Sequence, residues 1–138
     1  IEVLVKLAER FEEEQQAREI DGERPAPAPM PPLPDFSAFA PDYASADGLP
    51  DGDLRTAFFR GQRRANIEHL SHAQLAERVK GGSEPVSAGF VTPYPPGFPV
   101  LVPGQLVTDE VLDFMAVLDT REIHGYDPVR GYRILRED

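Results

Sequence analysis

Apolar residues recur at helical spacing at the start of the chain. Leu4, Leu7, Ala8 and Phe11 form one stripe, with Ile1 and Val5 beside it. The pattern predicts a helix within residues 1–24, but the polar run Glu12-Glu13-Glu14-Gln15-Gln16 leaves its second half nothing to bury. That helix is either the end of one that packs on sequence upstream or a solvated terminal helix that frays. The patterning resumes at residue 51. Asp53 is placed to cap a helix over 54–60 that Gly61 stops, and a strand is expected near 65–69. Ser71 and Gln74 have capping-box spacing for a helix over 72–79, ended by Gly81-Gly82. Strands are predicted over 86–92, 98–102 and 131–135. Between the last two, Thr108 caps a helix over 109–119, with Asp109 and Glu110 in its first turn, where they complement the helix dipole. Val111, Leu112, Met115 and Leu118 line its apolar face, with Phe114 adjacent.

Between these blocks lies a different composition. Residues 25–50 hold eight of the 15 prolines. Proline removes the amide donor and disfavours helix at the residue before it, so PAPAPMPPLP (25–34) should be extended, close to polyproline II. It reads as a spacer or as a docking ligand for an SH3-like domain. Phe36, Phe39 and Tyr43 give its later half the means to lie against a neighbouring surface. The organisation is therefore a helical segment (1–24), a proline-rich linker (25–50) and an α+β domain (51–138), with short helices on a mixed or antiparallel sheet.

The totals exclude several classes. A net charge of -10 over 138 residues repels phosphate backbones, and no basic patch exceeds the pair Arg63-Arg64, so nucleic acid and anionic membrane are not expected as partners. Absence of cysteine removes disulfides, thiolate nucleophiles and cysteine-type zinc sites, and suits a cytoplasmic protein. No apolar run approaches the ~20 residues of a membrane-spanning helix, and no signal peptide is visible. The chain starts at Ile1 directly on an apolar run, as a fragment of a longer polypeptide would.

A catalytic constellation is hard to assemble. His69 and His72 flank a strand-to-helix junction with Glu68 beside them, but without the His-Glu-x-x-His or His-x-His spacing of a metal site they read as capping or surface residues. His124, before Gly125, is either a turn residue or a general base. The lysines are Lys6 and Lys80, and neither has the surroundings that lower the pKa of a Schiff-base lysine. No catalytic, cofactor-binding or metal-ligating residue is assigned.

The most informative stretch is VTPYPPGFPVLVPGQ (91–105). Pro93, Pro95 and Pro96 fix three φ angles, and Gly97 permits a turn that other residues resist. FPVLV is apolar enough to be buried, and Pro103-Gly104 ends it. Tyr94 brings a hydroxyl to the bend. With five prolines and two glycines at set positions, followed by a capped helix, this pattern resembles the C-terminal domain of the ornithine/lysine/arginine decarboxylases. DLRTAFFRG (53–61) resembles that family's opening helix, IEHLSHAQLAERV (67–79) its strand-helix step, and Ile123-His124-Gly125 its late histidine-glycine. Gln105 departs from the pattern, where the family usually carries glutamate.

The resemblance implies a fold-type I decarboxylase acting on a basic amino acid. Pyridoxal phosphate would be held on a lysine of a large catalytic domain and take up the electrons released as CO2 leaves. This chain would bind none of that cofactor. It would pack on the catalytic domain of the same protein, in a homo-oligomer, and help shape the active-site entrance. Tyr94, Pro95, Pro96, Gly97, Pro103, Gly104, Gln105 and His124 are the candidate motif and channel-lining residues. The alternative is an independent interaction module that docks through the proline-rich segment.

Overall fold

The computed structural model describes residues 29–44, 53–118, 120 and 122–137. The expected helix within 1–24 lies outside them, as does part of the linker. Among the described residues, three α-helices and two small antiparallel sheets make an α+β fold. The helices are α1 (Leu54–Arg60), α2 (His72–Lys80) and α3 (Asp109–Val117). The strands are β1 (Ile67–Leu70), β2 (Val86–Ser87), β3 (Thr92–Tyr94), β4 (Glu122–His124) and β5 (Tyr132–Leu135).

Local chemistry sets the helix starts as the sequence indicates. Asp53 accepts from the Thr56 amide, and Thr108 from the Val111 amide. Ser71 and Gln74 close a full capping box, each side chain bonded to the other's backbone amide. At the end of α2 the Gly81 amide returns to the Glu77 carbonyl, and Gly82 follows at φ 89°.

Strand β5 is the centre of the larger sheet, with antiparallel β1 on one side and β2 on the other. Strands β3 and β4 form the second sheet. Leu75 of α2 and Val111, Leu112, Phe114 and Met115 of α3 pack with Leu70, Tyr132 and Ile134 of the larger sheet, and with Val91, Val100, Leu101 and Val107, in one core. A smaller cluster joins Ala57, Ile67, Ala88 and Leu135 to Ala40 and Tyr43.

Residues 36–44 therefore lie on the domain. Asp35 accepts from both the amide and the hydroxyl of Ser37, turning the chain inward. The Phe36 ring meets Phe98 and Phe114 edge-on, at centroid distances of 6.0 and 6.1 Å. Tyr43 is buried, and its hydroxyl accepts from Arg60.

Two strand expectations are corrected. The run 86–92 is not one strand. It leaves β5 after Ala88, whose amide still donates to the Arg133 carbonyl; the Ser87 hydroxyl donates to the Gly89 carbonyl and accepts from its amide where the chain turns away. In the apolar run 98–102 only Val100 and Leu101 are buried, and the run makes only an isolated bridge, Leu101 with Val91. In that register the next pair would be Pro99 with Pro93, neither of which has an amide N–H to donate, so no ladder extends; the Gln105 side chain satisfies the Val100 carbonyl and the Val102 amide on the other edge. Among the described residues no helix is long and apolar enough to cross a membrane.

Candidate functional site

The structure divides the eight candidate residues into two groups. Pro103, Gly104 and Gln105 are buried. Gly104 adopts φ 88°, and a Cβ there would press on the Cβ atoms of Tyr43 and Ala57 at 3.0 and 3.1 Å. Its carbonyl accepts from the Ala40 amide, so this glycine is one of the points at which segment 36–44 joins the domain. Gln105, 2% exposed, donates from Nε2 to the Val100 carbonyl and accepts at Oε1 from the Val102 amide. Where the resembling family usually has a glutamate, an amide serves one acceptor and one donor. This group is architectural.

Tyr94, Pro95, Pro96, Gly97 and His124 gather at the open end of the β3–β4 pair. Register brings them together: Thr92 faces His124 and Tyr94 faces Glu122. The Tyr94–Pro95 and Pro95–Pro96 peptides are both cis. The Gly97 amide donates to the Pro93 carbonyl, and its φ of 89° closes the turn. A Cβ on Gly97 would stand 3.2 Å from the Tyr94 ring, so glycine leaves room for the tyrosine to lie over the turn. The Tyr94 and His124 rings meet edge-on at 5.2 Å. His124 Nε2 lies 2.8 Å from Glu122 Oε1, and both side chains are largely exposed. Glu122 belongs to no motif; it reaches His124 along β4 and Tyr94 across the strand pair.

Chemically, this end offers an aromatic hydroxyl, an imidazole and a carboxylate on a rigid corner open to solvent. It contains no nucleophile held by a base. Lys80 ends α2 exposed, without the desolvation a Schiff-base lysine requires. The described residues do not fit pyridoxal phosphate, and no step through that cofactor follows from them.

His69 and His72 do not converge. His72 Nδ1 lies 3.2 Å from the Tyr132 hydroxyl in the core side of the larger sheet. His69 lines an open depression of about 460 Å3 with Tyr126, Asp127 and Arg133. Asp127 holds its turn by accepting from the Arg130 and Val129 amides, and these bonds, Arg130's first, keep its carboxyl below the usual range. Burial, and secondarily the nearby Tyr126, push the Tyr132 hydroxyl up to about 12. Among the described residues no group of three His, Cys, Asp or Glu could hold a metal.

The family described as Orn/Lys/Arg decarboxylase, C-terminal domain, matches residues 55–128. The constitutive lysine decarboxylase of Escherichia coli K12 is 40% identical over a stretch covering 41% of this chain and 7% of that protein. The lysine decarboxylase of Hafnia alvei is 41% identical over 34% of this chain and 8% of its own length. The solved structure of the Escherichia coli constitutive enzyme aligns with 61% of this chain and 13% of its own, at 30% identity and a TM-score of 0.43. The chain thus spans under a tenth of the curated relatives it matches. With the family match running from the first helix through the PYPPG corner to the His-Gly turn, this chain belongs to the Orn/Lys/Arg decarboxylase C-terminal domain family.

Proposed function

We propose that this chain is the C-terminal accessory part of a cytoplasmic decarboxylase of a basic amino acid, packed on a catalytic part of the same polypeptide and helping to shape the active-site entrance. Pyridoxal phosphate is held elsewhere in that polypeptide, which assembles as a homo-oligomer. The observation that carries this reading is the exposed corner of Tyr94, Gly97, His124 and Glu122. It is rigid, polar and solvent-facing within the family-matched segment, yet it has no reactive lysine of its own. A corner of that kind suits lining and selection rather than bond breaking.

The test has two arms. The coding sequence upstream of Ile1 should specify a pyridoxal-binding lysine domain. Its absence would remove the assignment. The 138-residue chain mixed with pyridoxal phosphate should give no borohydride-stable adduct, and a stoichiometric one on Lys6 or Lys80 would overturn the accessory role.

One observation favours the docking-ligand reading for the proline segment alone. Met30 and Leu33 are 53% and 57% exposed. Their spacing of three puts both on one edge of a polyproline II segment, the face that aromatic grooves read. Failure of a peptide spanning 25–36 to bind any of a panel of SH3 and WW domains would remove this reading.

A further inference from the structure

The extended run Phe90–Tyr94 alternates sharply. Val91 is 2% exposed and Pro93 is fully buried, whereas Phe90 and Tyr94 are 42% and 47% exposed. With side chains alternating along an extended chain, Phe90, Thr92 and Tyr94 share the outer face. The aromatic surface continues past both ends. Phe90 meets Phe58 at a centroid distance of 6.3 Å, and Phe58 meets Phe59, itself 61% exposed, at 5.6 Å. At the other end Tyr94 meets His124. Gly125, after β4, passes close to this run: a Cβ there would overlap the Phe90 carbonyl, so only glycine lets the His-Gly turn pass this close. The result is a continuous strip, Phe59–Phe58–Phe90–Thr92–Tyr94–His124, running from α1 to the PYPPG corner.

We infer that this strip is the face by which the chain docks on the catalytic part of its polypeptide. The inference rests on the accessory role proposed above and adds the surface that role uses. Two facts select the occupant. The curated relatives are more than ten times longer than the stretch matched, so a domain of this family works beside a far larger body. The strip is also continuous with the corner assigned to the active-site entrance, so covering its phenylalanine end leaves Tyr94 and His124 at the border of the interface. Exposed aromatics of this extent are costly to leave in water and are the residues enriched at interface centres. A polar rim at the tyrosine-histidine end is what an entrance needs.

Hydroxyl-radical footprinting read by mass spectrometry tests this on two samples, the 138-residue chain and the intact polypeptide encoded with it. In the intact polypeptide, Phe59 and Phe90 should fall to the labelling of a core residue such as Phe114, while Val129, 92% exposed, labels equally in both. If a different face is protected and Phe59 and Phe90 label as in the isolated chain, the docking face is wrong and the accessory role stands. If no longer polypeptide is encoded, or no residue gains protection, the accessory role fails and the docking face with it. If Phe59 and Phe90 are already protected in the isolated chain and sedimentation velocity shows a dimer, the occupant is a second copy and the inference is overturned.

Discussion

Gln105 reaches back across its own turn to Val100, donating from Nε2 to a carbonyl 3.3 Å away. Its Oε1 simultaneously accepts from the Val102 amide at 3.0 Å. Replacing Gln105 with leucine fills similar volume but strands both backbone groups away from water. The loss should be about 1–3 kcal/mol, measured by urea denaturation. Gln105→Glu keeps the acceptor and loses the donor at neutral pH, with a buried charge facing the Val100 carbonyl. Its folded carboxyl would titrate above the unfolded value of about 4.3, so the deficit is absent below that pH and grows as pH rises through the folded value. A variant as stable as the parent at pH 7 and indifferent to pH would refute this account of the site.

Two glycines with the same sign of φ should respond differently to alanine. At Gly82, φ 89°, a Cβ would meet nothing within 4 Å, so only backbone strain opposes it. Gly82→Ala should cost about 1 kcal/mol. At Gly125, φ 80°, the new methyl would also overlap the carbonyl of Phe90. Gly125→Ala should cost at least about 2 kcal/mol, because strain and clash add. Equal melting temperatures for the two variants would show that β4's exit does not press on Phe90.

The capping box of α2 is a local device and its removal is graded. Ser71→Ala leaves the Gln74 amide without its acceptor and should cost about 1 kcal/mol. Gln74→Ala removes only the reciprocal bond to the Ser71 amide and should cost less. Thermal unfolding of the two variants and of the pair checks the order. Additive losses would argue against a reciprocal box.

What the sequence made legible divides along the same line between local and distant contacts. Asp53, Ser71 and Thr108 announce helix starts because each satisfies an amide three residues on, and Gln74 one three residues back. The failure over 98–102 has the opposite cause. The run has strand composition, but the pairing beyond Leu101–Val91 falls on Pro99 and Pro93, which cannot donate, and composition does not reveal that register. Glu122 shares a face of β4 with His124 by its spacing of two, but it could not be singled out, because only the β3–β4 register sets it opposite Tyr94. The candidate list likewise mixed Gly104, buried beneath Tyr43, with exposed Tyr94. Both belong to one motif, and only packing distinguishes a glycine that seats a loop from a tyrosine that faces water.

Tyr132 gives the fold an alkaline limit. Its hydroxyl is held neutral by burial first and by Tyr126 second, up to about 12 against an ordinary 10.0. Since the folded value is raised, the stability it contributes is complete below pH 10 and is lost as pH climbs from there through 12. The loss should be on the order of 2 kcal/mol. Urea midpoints taken between pH 8 and 12 should fall in the parent and fall less in Tyr132→Phe. Parallel curves would assign the alkaline loss to other groups.

The Tyr94 hydroxyl separates architecture from function at the exposed corner. Its ring does structural work, covering the Gly97 turn and meeting His124, and phenylalanine retains both contacts. The side chain is half exposed, so losing the hydroxyl strands no buried partner. Tyr94→Phe should leave stability within about 0.5 kcal/mol of the parent. In the intact decarboxylase proposed here, a hydroxyl lining the entrance would act on substrate arrival and not on the reacting bond. KM should therefore rise while kcat holds, the signature of lost uniform binding. Unchanged kinetics with unchanged stability would leave the corner purely architectural. A fall in kcat at constant KM would instead put the hydroxyl within reach of the transition state, closer to the chemistry than an entrance residue should stand.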